Sequence, residues 1–238
     1  MTTTFSISRD TIISAALRKL QVIELGSTPD ANTITNAAQA LNVMIKTWQT
    51  QGIKLWTIGE LVLPLVATKR TYTIGPASDL VANKPLKVIQ AWAQNISVTP
   101  NIRTPLQILS RQEYNILGSP DSPGMINSVW YEPGATIGTL TTYLNPDLAT
   151  ATNYVIYLVT QRAMTDVTLS SDIPDFPNEW TQALIWGLAD ELSLEYGCLE
   201  NQRREINAKA TSYRTAMEDN DVDTTSTFFS PDPRARGK

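Results

Sequence analysis

The sequence predicts an α+β fold, in which a helical bundle carries an inserted antiparallel β-sandwich or barrel-like domain and an extended C-terminal tail. Apolar residues recur with the helical period near both ends of the chain. Short β-branched and aromatic segments, separated by turn residues, fill the region between them. The last stretch is too polar to form a core. The predicted boundaries are residues 1–54 and 172–221 for the bundle, 55–171 for the β domain and 222–238 for the tail.

Two amphipathic helices are predicted at the N-terminus. The first begins after Ser8 as its N-cap and ends at Gly26, and the second begins near Thr33 or Thr35 and stops at Gly52. Each helix carries one apolar stripe that must be buried. We therefore expect the two helices to pack as a hairpin, with the apolar start of the C-terminal helix as their third member.

The C-terminal helix is predicted to begin at Pro177 and to continue to Asn220 without a further proline. Trp180 and the leucines that follow it at every fourth residue make the first half apolar nearly all round. This is typical of a helix that is buried on more than one side. Gly197 is the weak point of the run, where the helix either bends or breaks.

The second half of this helix, from Glu200 onward, has only a narrow apolar face. An unbroken helix of roughly 40 residues would be about 60 Å long, which exceeds what the core of a small domain covers. We therefore predict that the second half is an arm that contacts a neighbouring subunit or another partner. The residues assigned to this subunit-interface arm are Arg203, Arg204, Ile206, Tyr213 and Met217.

Six or seven short segments in the middle of the chain have the β-branched and aromatic composition of strands. Pro64 restricts the first of them to a sheet edge. Ser110 and Glu113 form the pattern of a capping box and predict one or two helical turns after Ser110. A turn is predicted at residues 145–152. The candidate strands span residues 55–66, 69–75, 87–95, 105–109, 127–134, 137–144 and 153–161.

The tail after Asp221 carries two adjacent phenylalanines among Thr, Ser and Pro, with basic residues near its end. Such aromatic side chains are unusual in a freely solvated segment and favour a docking role. A disordered end that happens to hold two aromatics stays open as the alternative. The residues assigned to docking are Phe228, Phe229, Pro231, Arg234 and Arg236.

The composition argues against several classes of function. The formal net charge is −4 and charged residues make up 18% of the chain, so binding driven by phosphate neutralisation is disfavoured. The chain has no histidine, the commonest general acid–base and zinc ligand, and Cys198 is its only cysteine, which excludes an intrachain disulfide. No phosphate-binding glycine loop and no nucleophile motif occurs, so we expect no cofactor and no enzymatic activity.

Targeting signals are also missing from the sequence. The N-terminus MTTTFSISRD has no basic start followed by an apolar run, and no window of 18 apolar residues occurs. Neither a secretory signal nor a membrane anchor is therefore expected. We expect the chain to be made in the cytoplasm.

Carboxylates are the only remaining candidates for metal binding or acid–base chemistry. A first group lies near predicted turns and helix caps, where aspartate is common for backbone reasons: Asp166, Asp172 and Asp175. The run from Glu218 to Asp223 lies at a solvated helix end and lacks the spacing of a calcium loop. Glu191 and Glu195, four residues apart, are interpreted as a pair on a solvent-exposed helix face.

The chain has six tryptophans, which fall into two groups. Those on the helical stripes are assigned to the core: Trp48, Trp180 and Trp186. Those in the β region are left open between core residues and interface anchors: Trp56, Trp92 and Trp130.

Several motifs occur together in a fixed order along the chain. ALRKLQVIELGSTPDA is followed by ALNVMIKTWQTQGIKLW, by a Tyr-x-Ile-Gly-Pro strand end at 72–76, by KPLKVIQAW and by PLQILSRQEY. DFPNEWTQALIWGLADELSLEYG and a polar tail complete the set. In this order the chain resembles the head-to-tail adaptor (tail accessory, or connector) proteins of tailed bacteriophages, which follow the portal. The tail after Asp221 is the part that matches least.

The resemblance implies a structural role in the virion, at the neck of the particle. Such adaptors form a homo-oligomeric ring, usually of twelve copies, beneath the portal protein, and their β portion faces tail nozzle, tube or fibre proteins. Their C-terminal segments commonly engage the portal. Double-stranded DNA passes through the ring without specific binding, and a modestly acidic lumen would let it slide.

Three other interpretations stay open at this point. Within the same class, the chain could be a tail-tube or tail-completion subunit without direct portal contact. In a different class, the low-charge aromatic β region could be a carbohydrate- or host-binding module. An enzyme is the third interpretation, and Glu191 with Glu195 is the only acid pair that the sequence offers for it.

Overall fold

The computed structural model describes residues 6–52 and 55–221 of the chain, and it confirms the predicted α+β class. The helices are α1 (Arg9–Lys19), α2 (Ala31–Thr50), α3 (Arg111–Asn115), α4 (Leu148–Asn153), α5 (Thr181–Ser193) and α6 (Glu200–Asn220). The strands are β1 (Ile58–Pro64), β2 (Thr71–Gly75), β3 (Leu80–Val81), β4 (Pro85–Asn95), β5 (Ile102–Leu109), β6 (Pro123–Gly124), β7 (Ser128–Pro133), β8 (Gly138–Tyr143), β9 (Asn145–Pro146) and β10 (Tyr154–Arg162).

The two N-terminal helices form as predicted, although their ends differ. α2 starts earlier than expected, at Ala31, because the side chain of Asp30 accepts a 2.8 Å hydrogen bond from the backbone N–H of Thr33. This bond and one from the Thr33 hydroxyl hold the pKa of Asp30 below its usual value. α1 ends at Lys19, well before the predicted stop at Gly26.

The C-terminal helical run is broken near Gly197. α5 ends at Ser193 and α6 begins at Glu200, and Gly197 lies between them with a φ of +68°, which favours glycine. α6 then runs antiparallel along α5, where Asn207 Nδ2 donates a 3.0 Å hydrogen bond to Asp190 Oδ2. The single helix of about 60 Å is therefore not formed.

α1, α2 and α5 pack around one buried apolar cluster, with α5 as the predicted third member. Met164 and Val167, from the segment that follows β10, belong to the same cluster. Asn42 of α2 holds this segment, because its amide donates to Val167 O and accepts from Val167 N, each at 2.9 Å. α5 contributes on nearly every side, through Ala183, Leu184, Ile185, Leu188, Ala189 and Leu192.

Eight strands form one mostly antiparallel sheet that curves into a nearly closed, barrel-like structure. Its order is β1-β10-β4-β5-β7-β8-β2-β3. Among the described residues β1 pairs only with β10, which confirms the edge position predicted from Pro64. The pairs β5–β7 and β2–β3 are parallel rather than antiparallel. For β5–β7 the reason is the connection through α3, which brings the chain back so that Ser128 at the start of β7 lies opposite Gln107 near the end of β5.

Two local predictions had different outcomes. The capping box after Ser110 is confirmed, since Ser110 Oγ accepts from Glu113 N and Glu113 Oε2 accepts from Ser110 N. The turn predicted at 145–152 is wrong, because this stretch holds β9 and α4. Asp147 caps α4 by accepting a 2.7 Å bond from Thr150 N, and β9 pairs with β6 over two residues only. A pairing this short leaves no periodic pattern in the sequence.

The interior of the sheet holds a second buried cluster, distinct from that of the bundle. Its fully buried members include Leu63, Tyr72, Ile74, Val129, Leu140, Ile156 and Leu158. Tyr72 keeps its hydroxyl paired there, donating to Val66 O and accepting from Val66 N. Burial raises the pKa of Tyr72 above its usual value. The predicted domain boundaries stay a prediction.

Gly187 allows α5 to approach α2 closely, and replacing it should destabilise the bundle. A Cβ at Gly187 would lie 2.7 Å from Cζ2 of Trp48 and 3.1 Å from Sδ of Met44. We expect Gly187→Ala to lower the free energy of unfolding by about 1–2 kcal/mol. The overpacking cost of about 1–3 kcal/mol exceeds the gain of about 1 kcal/mol in helix propensity.

Urea unfolding followed by circular dichroism measures this difference. Gly118→Ala is the matched control, because a Cβ at Gly118 meets nothing within 4 Å. An unchanged or higher unfolding midpoint for Gly187→Ala would contradict the close packing of α5 on α2.

Candidate functional site

The residues predicted to dock on the portal lie outside the described part of the chain. Phe228, Phe229, Pro231, Arg234 and Arg236 all follow Asp221, the last described residue. The structure does describe where the tail starts. The carboxylate of Asp221 accepts a 3.3 Å hydrogen bond from the backbone N–H of Leu55, so the tail leaves the chain at the boundary between helices and sheet.

The five residues assigned to the interface arm lie on two different faces of α6. Ile206 is 2% exposed and belongs to the bundle core, and Met217 is half-buried against the same core. These two side chains therefore contact their own chain, because α6 folds back along α5. Arg203, Arg204 and Tyr213 are exposed, and their role as subunit contacts stays a prediction.

Four aromatic side chains pack together where the chain passes between the helical bundle and the sheet: Trp48, Trp56, Phe176 and Trp180. Trp48 and Trp180 are 5% and 3% exposed, which confirms their assignment to the core. Trp56 was left open between core and interface, and it packs here, with its ring centroid 5.5 Å from Phe176 and 5.2 Å from Trp180. Its Nε1 donates a 3.0 Å hydrogen bond to the backbone oxygen of Asp175. We call these four residues the aromatic junction.

An ion pair lies beside the aromatic junction. Arg162, at the end of β10, donates from both terminal nitrogens to the carboxylate of Asp175, and the Nη2–Oδ1 distance is 2.9 Å. The guanidinium holds the pKa of Asp175 below its usual value, and the carboxylate raises the pKa of Arg162. This bidentate pair connects β10, the last strand along the chain, to the segment that precedes α5.

The outer face of the sheet carries a stacked row centred on Trp92. Tyr157 on β10 stacks on its indole at 5.3 Å with an interplanar angle of 5°, and the Arg103 guanidinium on β5 lies 5.2 Å from the indole centroid. Because β10 and β5 flank β4 on opposite sides, both faces of Trp92 are covered. Sugar recognition by stacking needs a free ring face, so this geometry does not favour a carbohydrate site at Trp92.

The remaining tryptophans are half-buried near the surface. Trp186 was assigned to the core, but the ammonium groups of Lys19 and Lys209 lie 4.9 and 4.8 Å from its ring centroid. Trp130 packs against Tyr114 at 5.3 Å. An indole that covers the core on one side can still contact cations at the surface through its π face.

Three of the acidic groups considered for chemistry, Asp166, Asp172 and Asp175, have hydrogen-bond or ion-pair partners in the chain. Asp172 accepts hydrogen bonds from the backbone of Leu169 and Thr168, which hold its pKa below the usual value, and Asp166 pairs with Lys46 at 2.6 Å. No group of three or more potential metal ligands occurs among residues 6–52 and 55–221. None of the helices in these ranges is long and apolar enough to cross a bilayer.

Several large apolar side chains are exposed at one end of the bundle. Leu25 in the α1–α2 loop is 92% exposed, and Leu194 and Leu199 between α5 and α6 are 68% and 72% exposed. Because α2 runs antiparallel to α5, both loops lie at the end remote from the aromatic junction. Surface apolar residues grouped in this way are common where another protein binds.

The described residues thus present exposed helix and sheet faces that another protein can contact. A family model described as SU10 adaptor protein matches residues 8–234. The chain therefore belongs to the SU10 adaptor protein family. This is a family of structural phage adaptors, not of enzymes, and membership implies a component of the virion. No curated protein matches the chain.

The ion pair beside the aromatic junction gives a pH-dependent contribution to stability. We expect Asp175→Asn to lower the free energy of unfolding at pH 7 by about 1–2 kcal/mol, because a charge-assisted hydrogen bond to a partly exposed arginine is lost. The folded-state pKa of Asp175 lies below its usual 3.8. The contribution is therefore present above that usual value and lost as the pH falls through the folded-state pKa.

Urea unfolding of both proteins at pH 7, 5 and 3 tests this expectation. Asp121→Asn is the control, since the side chain of Asp121 is 82% exposed in its pair with Arg70. A stability difference for Asp175→Asn that is as large at pH 3 as at pH 7 would show that the ion pair does not cause it.

Proposed function

We propose that the protein is the head-to-tail adaptor of a phage neck, forming a ring of about twelve copies beneath the portal. Family membership over residues 8–234 is the observation that carries the proposal. In the proposed arrangement the ring lines the DNA channel, and the barrel-like sheet is offered to tail components. The net charge of −4 fits a channel that does not retain DNA.

The tail is proposed to dock on the portal. When extended, it is long enough to reach past the far end of the helical bundle. Residues 222–238 span at most about 56 Å when extended, at about 3.3 Å per residue. α2, with 20 residues, is about 30 Å long. A tail that starts at the aromatic-junction end can therefore run the whole length of the bundle and still extend beyond its other end. Burial of Phe228 and Phe229 would offset the entropy cost of ordering the tail.

Deleting residues 222–238 should weaken binding to the portal ring, because the docking side chains are lost while the described fold is retained. A pull-down with purified portal measures the binding. The double substitution Phe228→Ala with Phe229→Ala should reproduce most of the loss. Thr224→Ala with Thr225→Ala is the matched control and should bind as the wild type does. Unchanged binding of the truncated protein would contradict the docking role of the tail.

Ring formation is checked by mass measurement and negative-stain imaging of the protein with and without the portal. We expect a ring that matches the symmetry of the portal. A protein that binds tail components but not the portal would instead favour a tail-completion subunit.

A further inference from the structure

β1 is an edge strand with few of the features that protect sheet edges. It runs for seven residues without a bulge, and among residues 6–52 and 55–221 its backbone pairs with β10 alone. The opposite edge, β3, has only two residues. Exposed edges are usually short, bulged or guarded by lysine or proline, because they otherwise pair with other chains. Pro64 guards only the last position here, so we expect another segment to cover the rest of β1.

The side chains of β1 are also incompletely covered. Ile58 and Val62 on its outer face are 36% and 41% exposed. Val62 lies opposite Tyr157, which lies opposite Trp92, so Val62 is the outermost member of the stacked row on the sheet. On the inner face Leu61 packs against the buried cluster of the sheet but is itself only half-buried. The edge therefore offers apolar contacts on both faces.

The end of α6 lies beside the chain that enters β1. The guanidinium of Arg214 donates to the side-chain oxygen of Gln51, and the carboxylate of Asp221 accepts a 3.3 Å hydrogen bond from the backbone N–H of Leu55. α2 ends at the same place and its chain continues into β1. A chain that continues past Asp221 in the direction of α6 therefore runs alongside β1.

Residues 222–229 have the composition of a strand. Six of these eight residues are valine, threonine or phenylalanine, and Pro231 follows shortly after them. The seven extended residues from Asp221 to Phe228 cover about 23 Å. This brings Phe228 to the level of Val62 or Leu63, since the 3₁₀ turn at Leu55–Thr57 shortens the path from Leu55 into β1. Adjacent strand residues point to opposite faces, so two neighbouring phenylalanines can contact both faces of the edge.

We propose that residues 224–230 add to the free edge of β1 in the same chain as a parallel strand, before any portal binds. Phe228 and Phe229 then cover the two faces of the edge, one of them beside Val62. The attachment at Asp221 holds the segment at a high effective concentration near β1, so a short pairing is sufficient. The contact is made by the free protein and does not rest on the proposed function. It uses the same phenylalanines as the proposed portal contact, so the two placements exclude each other.

Hydrogen exchange of the full-length protein, measured by mass spectrometry without portal, tests this contact. Phe228→Ser with Phe229→Ser should raise the exchange rate of the β1 amides that point away from β10 by about tenfold or more, because their hydrogen-bond partners leave. β4 is paired on both sides and should exchange equally in both proteins if the sheet remains folded. Arg234→Ala with Arg236→Ala is the control, since both residues follow the proposed strand, and it should exchange as the wild type does.

The expected result is protection of β1 that persists when the wild-type protein is diluted and disappears in the phenylalanine variant. Equal exchange of β1 in the wild type and that variant would overturn the proposal, and it would leave the portal contact of the tail to the pull-down described above. Protection that is lost on dilution would also overturn it, because the covering segment would then come from another copy.

Discussion

The fold depends on bringing the two ends of the β insertion together at the aromatic junction. Trp56 lies just before β1 and Phe176 follows β10, and between them the chain passes through the whole sheet. They meet against Trp48 and Trp180, with ring centroids 5.2 to 6.3 Å apart. Such aromatic contacts contribute about 0.5–1.5 kcal/mol each beyond the area that they bury. Closing the insertion here keeps the bundle continuous, although more than a hundred residues separate its halves.

The ion pair and the hydrogen bonds beside the aromatic junction fix the position of the helices relative to the sheet, which apolar contacts alone would not do. Arg162 and Asp175 are bidentate, and the Trp56 indole nitrogen is satisfied by the backbone of the same aspartate. Gln161, which is 2% exposed, donates to Gly52 O at the end of α2. Buried polar groups tolerate few alternative positions, because each displaced donor or acceptor would be left unpaired. If the adaptor joins the portal to tail components as proposed, it benefits from such a fixed relation between its helices and its sheet.

Much of this architecture could be predicted from the sequence, because periodic burial leaves a periodic pattern. The α1–α2–α5 bundle, the edge position at Pro64 and the capping box at Ser110 all follow from spacing or from one side chain. The parallel pairing of β5 with β7 could not be predicted, since it depends on the path of the chain through α3 rather than on local composition. The partial exposure of Trp186 could not be predicted either, because an apolar stripe on a helix does not indicate which of its residues lie at the edge of the core.

The candidate surfaces were harder to predict than the fold, and α6 shows why. Its sequence has a weak apolar face, and this suggested an arm that projects from the bundle. The left-handed Gly197 instead lets the helix fold back, so that Ile206 completes the chain's own core. A backbone reversal at one glycine changes the surface against which the following helix packs, and helical periodicity does not report that change.

The same reversal packs α6 along α5 but buries few of its side chains. Of its 21 residues only Ile206 and Ala210 are buried. Its three ion pairs at i, i+4 spacing are of the kind that contribute about 0.3–0.5 kcal/mol each. Segments with few buried contacts lie at the low end of the stability distribution within a protein. A helix with few buried residues gains more order from contact with a neighbouring subunit than a buried helix would. Assembly of the proposed ring and ordering of α6 would therefore stabilise each other.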